Sequence, residues 1–163
     1  MSSVKVRKAQ HKDIPVLTNL FLSNLEKQQD YISHGEIQMG VATDDGVVSE
    51  NASEIWLRYI SKKINECESE VLLYEDVGQV LGFIVVEISL RQKPYGTLCD
   101  IYVLPGNRAK GIGSTLHDAG ISWLREQGAK EFFLESGKDN RAAHEFFEQK
   151  GFRLVSHIFY FKD

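Results

Sequence analysis

Between Asp100 and Leu116 the chain reads Asp-Ile-Tyr-Val-Leu-Pro-Gly-Asn-Arg-Ala-Lys-Gly-Ile-Gly-Ser-Thr-Leu: a strand, a Pro-Gly turn, and a helix entered through two glycines. A strand that feeds a helix through a short loop belongs to an α/β domain, where sheet and helix cover each other's apolar faces. The helix start carries unpaired N–H groups and the positive end of the helix dipole, which together attract an anion. Gly111 and Gly113 remove side chains at that point, so a phosphate can approach the backbone, and Arg108 and Lys110 add positive charge beside it.

The elements around this segment follow from periodicity. A short strand spans Val4–Lys8, and Asp13 as N-cap candidate, with Pro15 near the first turn, opens a helix to about Gln28, with Val16, Leu17, Leu20, Phe21 and Leu25 at helical spacing. The pattern lapses from Asp30 to Asn51. A second helix covers about Ser53–Glu66, with Ile55, Trp56, Tyr59, Ile60 and Ile64 on one stripe. Val71–Glu75 and Val80–Glu87 flank Asp76-Val-Gly78 as a hairpin, and a third strand covers about Gly96–Val103. After the glycine loop come a helix ending at Gly128, a strand over Glu131–Glu135, a helix over Asn140–Lys150 and a last strand over Leu154–Phe161. The order βααβββαβαβ predicts an α/β domain with a mixed, mostly antiparallel sheet.

At 163 residues, 42% hydrophobic and 26% charged, the chain suits one soluble domain, here taken as residues 1–163. The net charge of −4 argues against an electrostatic nucleic-acid binder. Two cysteines, Cys67 and Cys99, without CxxC or His/Cys clustering predict free thiols and no metal site. The N-terminus lacks the apolar stretch of a secretory signal, and no run approaches membrane-spanning length, so the expected setting is cytoplasmic with no membrane partner.

Known phosphate loops can be tested against residues 106–116. A Walker A loop would need Lys-Ser/Thr where Ile112-Gly113 stands, and the dinucleotide fingerprint would need glycine at Leu116. The segment fits R-x-x-G-x-G, and Arg108-Ala-Lys-Gly111-Ile-Gly113 behind its strand resembles the acetyl-CoA pyrophosphate loop of the GCN5-related N-acetyltransferase (GNAT) family. Farther on, Asn140-x-x-Ala143-x-x-Phe146-Phe147-x-x-x-Gly151-Phe152 resembles that family's second motif, and the element order agrees over nearly the whole chain. The resemblance implies a GNAT-type acyl-CoA N-acyltransferase fold, with the sheet splayed at the cofactor site and flanked by helices. It implies acetyl-CoA as cosubstrate, with the pantetheine arm near Ile101, Tyr102 and Val103 and the pyrophosphate on Arg108, Ala109, Lys110, Gly111, Ile112, Gly113 and Ser114. Asn140 and Phe147 would border the same gap. It also implies acetyl transfer to a primary amine by direct attack, with no covalent enzyme intermediate.

That chemistry needs a neutral amine, a polarised carbonyl and a proton for the departing thiolate. An alkyl amine has a pKa of about 10.4, so a base or a water relay must take its proton. Asp100 is the first candidate, because a carboxylate inside a central strand is costly unless paired or used; the alternative is a hydrogen-bonded Asp that steadies a loop. Glu87 on the preceding strand is the second. Family members that use a glutamate one residue before Asp100 have Cys99 as their counterpart here. The family's usual acid is a tyrosine where this chain has Phe147, which leaves Tyr160, His157, Tyr102 or water. Cys99 reads as a small buried residue, since no histidine is placed to activate it.

Residues Glu26 to Glu54 hold seven acidic groups against Lys27 alone. Such a segment, in the part of the chain where the family shapes its acceptor pocket, favours a small cationic amine. Tyr31 and Trp56 are candidate cation–π walls. The alternatives are a peptide or protein acetyltransferase, and a non-catalytic acyl-CoA sensor suggested by Phe147. Pairing of last strands would give a homodimer.

Overall fold

The apolar runs at the centre of the chain form β2 (Ser69–Asp76), β3 (Gln79–Ser89) and β4 (Tyr95–Val103), antiparallel neighbours in one sheet. The computed structural model describes residues 5–108 and 110–163. The edges are β1 (Val6–Lys8), antiparallel to β2, and β5 (Phe132–Leu134), parallel to β4, giving the order β1-β2-β3-β4-β5. The helices are α1 (Ile14–Lys27), α2 (His34–Met39), α3 (Ala52–Asn65), α4 (Ile112–Glu126) and α5 (Arg141–Gln149). The mixed α/β sheet with flanking helices is the architecture expected from the sequence. Among the described residues no helix is long and apolar enough to cross a membrane.

The chain divides into two units. The first joins the residues up to Phe21 with Leu57–Glu135 and contains the whole sheet; the second joins Leu22–Trp56 with Ser136–Asp163. In the first, the β2–β3 hairpin turns through Val77 and Gly78, both at positive φ (50° and 75°). Two positive φ values match the primed turn that the right-handed twist of a hairpin favours, and the valine that bears one of them is 97% exposed. Helix α4 lies on one face of the sheet, with glycine permitting the close approach. A Cβ at Gly120 would lie 2.9 Å from Ile84 Cδ1, and one at Gly96 would lie 2.6 Å from Leu124 Cδ1. Leu116, Leu124, Ile84 and Val86 are all buried there. The later half of α3 meets the opposite face through the polar contacts described below.

In the second unit, α2 is held by a capping box in which Glu36 accepts hydrogen bonds from the Ser33 backbone (3.1 Å) and hydroxyl (2.7 Å). Helix α5 is capped by the Asn140 side chain, which accepts the Ala143 N–H at 3.4 Å. Phe147 is buried between the rings of Phe146 and Phe152, with centroids 5.1 and 5.6 Å away.

Three expectations need correction. The lapse from Asp30 to Asn51 conceals α2 and a short turn at Gln29–Tyr31, because a six-residue helix shows too few periods to be seen in sequence. Asp13 does not cap α1; it closes the His11–Asp13 turn by accepting the Gln10 N–H (2.7 Å) and both terminal nitrogens of Arg7 (2.9 Å each). Arg7 beside it holds its carboxyl below the usual range, against the opposing effect of burial. The strand expected over Leu154–Phe161 is irregular chain: Leu154, Phe159 and Phe161 are 75%, 92% and 87% exposed. Alternation supplies one apolar face, but a strand also needs a neighbour to take its backbone hydrogen bonds. Of the predicted first strand, Val4 lies outside the described residues.

Candidate active site

The β3–β4 ladder pairs Val85 with Asp100 but Val86 with Leu98, so Cys99 is the extra residue of a β-bulge. A bulge re-aims neighbouring side chains. Here Cys99 and Asp100 both turn toward the face carrying Glu87 and α3. The Tyr59 hydroxyl donates to Asp100 Oδ2 at 2.8 Å, and the Cys99 thiol lies 3.9 Å from Glu87 Oε2. Lys63, one turn after Tyr59 on α3, donates to Glu87 Oε2 at 2.9 Å and to Glu66 Oε1 at 3.2 Å, with its ammonium 5.6 Å from the Tyr59 ring centre.

These contacts separate the two predicted carboxylates. Glu87 is ion-paired to a lysine, whereas Asp100 accepts from a neutral phenol. Burial lowers the pKa of Lys63, but the bonds to Glu87 and Glu66 outweigh it and hold the ammonium above the ordinary lysine range. Burial pushes the Cys99 thiol up to about 12, helped by the charges of Asp100 and Glu87. A thiol so perturbed stays protonated at neutral pH and is no nucleophile. Alkylation at pH 8 followed by peptide mass spectrometry should therefore label the exposed Cys67 and leave Cys99 in the folded protein unmodified.

Parallel pairing of β4 with β5 covers only Gly96–Leu98 against Phe132–Leu134. The ladder stops where the bulge begins, so β4 runs on from Cys99 to Val103 beyond it, as the splayed sheet requires. Past Val103 the chain reaches α4 through Gly106 and Gly111, at φ 87° and 81°. Gly111 is the N-cap of α4 and, as a glycine, brings no side chain to cap it. A Cβ on Gly111 would meet nothing within 4 Å, so the space beside the N-cap is open. Arg108 Nε donates to the Val103 carbonyl (3.0 Å) and its guanidinium lies 5.8 Å from the Tyr102 ring centre. Lys110 Nζ lies 3.4 Å from Asn107 Oδ1.

The other predicted cofactor residues divide by burial. Tyr102 and Ile112 are 5% and 4% exposed, so their side chains belong to the core. Ala109 lies outside the described residues. In the second unit, Asn140 caps α5 and Phe147 is packed among rings; neither phenylalanine of that helix offers a proton. The Ser136 hydroxyl is buried without a hydrogen-bond partner among the described residues. Tyr160 lies on the irregular C-terminal chain, 53% exposed. Of the acidic segment, Glu36 is buried in its capping box, where burial raises its pKa, so it adds little to an acceptor field. The other six carboxylates of that segment are exposed.

Sequence reasoning missed Tyr59 as a polar participant, counting it in the apolar stripe of its helix, and did not single out Lys63. One signal was available: a tyrosine on a core-facing stripe must find a partner for its hydroxyl, and the lysine follows at i+4 on the same side.

A helix start with a glycine N-cap, and with Lys110 and Arg108 on its approach, fits a polyanionic pyrophosphate such as that of acetyl-CoA. Comparison with known proteins points the same way. The sequence model of the acetyltransferase (GNAT) family matches residues 39–152. An uncharacterised N-acetyltransferase of Bacillus subtilis, YhfO, is 30% identical over 97 residues, covering 58% of this chain and 65% of that protein. An aminoglycoside N(6')-acetyltransferase type 1 of Acinetobacter genomosp. 13 is 29% identical over 118 residues, covering 67% of this chain and 80% of its own. Among solved structures, AAC(6')-Iy in complex with the bisubstrate analogue CoA-S-monomethyl-acetylneamine superposes with a TM-score of 0.70 at 16% identity, covering 99% of both chains.

Proposed function

Because the chain belongs to the acetyltransferase (GNAT) family, we propose that it is an acetyl-CoA-dependent N-acetyltransferase, with residues 1–163 as one catalytic domain and a small cationic amine as acceptor. The observation that carries this reading is the course of one strand. The bulge of β4 presents Asp100, and three residues later the strand ends at Val103 and leads toward the glycine N-cap of α4. The aminoglycoside acetyltransferase named above supports the acceptor class, as do the exposed carboxylates between Glu26 and Glu54.

Acetyl-CoA, when bound, supplies an activated acyl thioester. The first-turn N–H groups of α4 at Ile112, Gly113 and Ser114, with Lys110 and Arg108, would hold its pyrophosphate. The backbone of Ile101–Val103, outside the β4–β5 ladder, would hold the pantetheine arm and offer an N–H to polarise the thioester carbonyl. Asp100 would attract the acceptor's ammonium group and take its proton, directly or through water. Tyr160 is the candidate acid on the exposed C-terminal chain. Tyr102 is poorly suited to that role, since burial raises its phenol pKa despite the opposing charge of Arg108. Transfer is direct, because the raised Cys99 thiol offers no acyl-enzyme route.

The acceptor class is tested by chromatographic detection of N-acetylated product from aminoglycosides, polyamines and lysine peptides. Preference for the first two supports the reading, and preference for the peptide overturns the small-amine part of it. A second reading, an acyl-CoA-binding sensor, draws on Phe147: its ring is packed between two others and donates no proton.

The same proposal includes self-association. Six large apolar or aromatic residues between Leu154 and Phe161 are exposed, an unusual concentration on a soluble chain unless it is covered. Pairing of this segment with a second copy would cover it. Sedimentation should then show a dimer for the full chain and a monomer for a chain cut after Arg153; a monomeric full chain would contradict it.

A further inference from the structure

We propose that Tyr59 is a positioning residue for Asp100: its phenol hydroxyl, 2.8 Å from the carboxylate, fixes the orientation in which Asp100 meets its substrate. For its catalytic consequence this rests on the transferase reading above; the pairing itself does not.

Helix α3 carries Tyr59 and Lys63, β3 carries Glu87, and β4 carries Cys99 and Asp100. Of the two α3 groups, the ammonium of Lys63 goes to Glu87 (2.9 Å) and Glu66 (3.2 Å), and the hydroxyl of Tyr59 goes to Asp100 (2.8 Å). The division matters because the two donors do different things to a carboxylate. An ion pair orients it but cancels its charge and makes it a poor base. A phenol orients it and stabilises its anion without itself bringing a charge to it. The bulge at Cys99 is what makes the contact reachable, since it turns Asp100 toward α3. Tyr59 is held in its turn: Lys63 sits over its ring at 5.6 Å.

The discriminating variant is Tyr59→Phe, which keeps the ring under Lys63 and removes only the hydroxyl. In the protein without substrate, a carboxyl-carbon NMR titration of Asp100 should move its midpoint up by about one pH unit, the size expected for losing one hydrogen bond to a charged group. With an amine acceptor, the acid limb of kcat/KM should rise by the same amount and kcat should fall about five- to tenfold, with KM for acetyl-CoA unchanged. In an Asp100→Asn background, Tyr59→Phe should change nothing further, because a residue that acts only through Asp100 has nothing left to position. An Asp100 midpoint unmoved by Tyr59→Phe overturns the proposal, as does a full additive loss in the double variant. A wild-type protein that turns over no amine refutes the transferase reading instead, and the NMR titration still decides the Tyr59–Asp100 pair.

Discussion

Replacing Asp100 by asparagine should lower kcat/KM for amine acceptors by about 10²- to 10⁴-fold, the range that positioned proton transfer contributes. Acetyl-CoA affinity should hold, because the pyrophosphate is proposed to sit on residues past the end of β4 and the pantetheine arm on backbone groups of Ile101–Val103, neither of which uses the Asp100 side chain. The variant should fold, since an asparagine carbonyl can still accept the Tyr59 hydroxyl that reaches Asp100 at 2.8 Å. What it loses is the charge that attracts an ammonium group and the oxygen that takes its proton. Glu87→Gln provides the contrast. Glu87 is matched to Lys63, so its replacement should cost less than about tenfold in rate and show instead as lower thermal stability, because a buried lysine would be left with Glu66 as its carboxylate partner among the described residues. Steady-state kinetics and a melting curve on the two variants separate base from scaffold. Equal losses in both would remove Asp100 from the role given to it.

The second large effect is expected at Gly111. It caps α4 at φ 81°, a backbone geometry that β-branched residues resist, and a Cβ there would project into open space at the mouth of the helix. Gly111→Val should therefore act twice. It should strain the turn by about 1–2 kcal/mol, and it should cover the N–H groups of the first helical turn. Losing one charge-assisted hydrogen bond costs about 1.5–3 kcal/mol, so acetyl-CoA should bind roughly 10- to 100-fold more weakly by calorimetry. S-acetylpantetheine, which lacks the pyrophosphate, serves as the control. The wild-type protein should prefer acetyl-CoA over it strongly, and the variant should lose most of that preference. A variant that weakens both ligands equally would mean that the loop supports the fold and does not read phosphate.

Much of this arrangement could be read from the sequence because it is local. The strand, the Pro-Gly turn and the glycine-bearing helix start lie within Asp100–Leu116, and turn chemistry and periodicity declare each piece. The hairpin at Val77-Gly78 was legible for the same reason. What was hidden depends on residues far apart. Tyr59 and Asp100 are 41 positions apart and Lys63 and Glu87 are 24 apart, so nothing in a local window assigns the cation to one carboxylate and the phenol to the other. The bulge at Cys99 leaves no mark in composition, although it decides which way Asp100 faces. Helix α2 is too short to show a period, and its existence rests on the Ser33–Glu36 capping box. The segment Leu154–Phe161 fails in the opposite sense: its alternation is legible, but a strand forms only where another backbone lies alongside.

Acetyl transfer to a cationic amine is tested most directly by the release of CoA thiol from acetyl-CoA, followed continuously across aminoglycosides, polyamines and lysine peptides in the wild-type and Asp100→Asn proteins. The account predicts saturable release with at least one small cationic amine, and its near-complete loss in the variant at unchanged acetyl-CoA binding. Tight acetyl-CoA binding without thiol release for any amine would contradict it and leave a protein that binds the cofactor without using it.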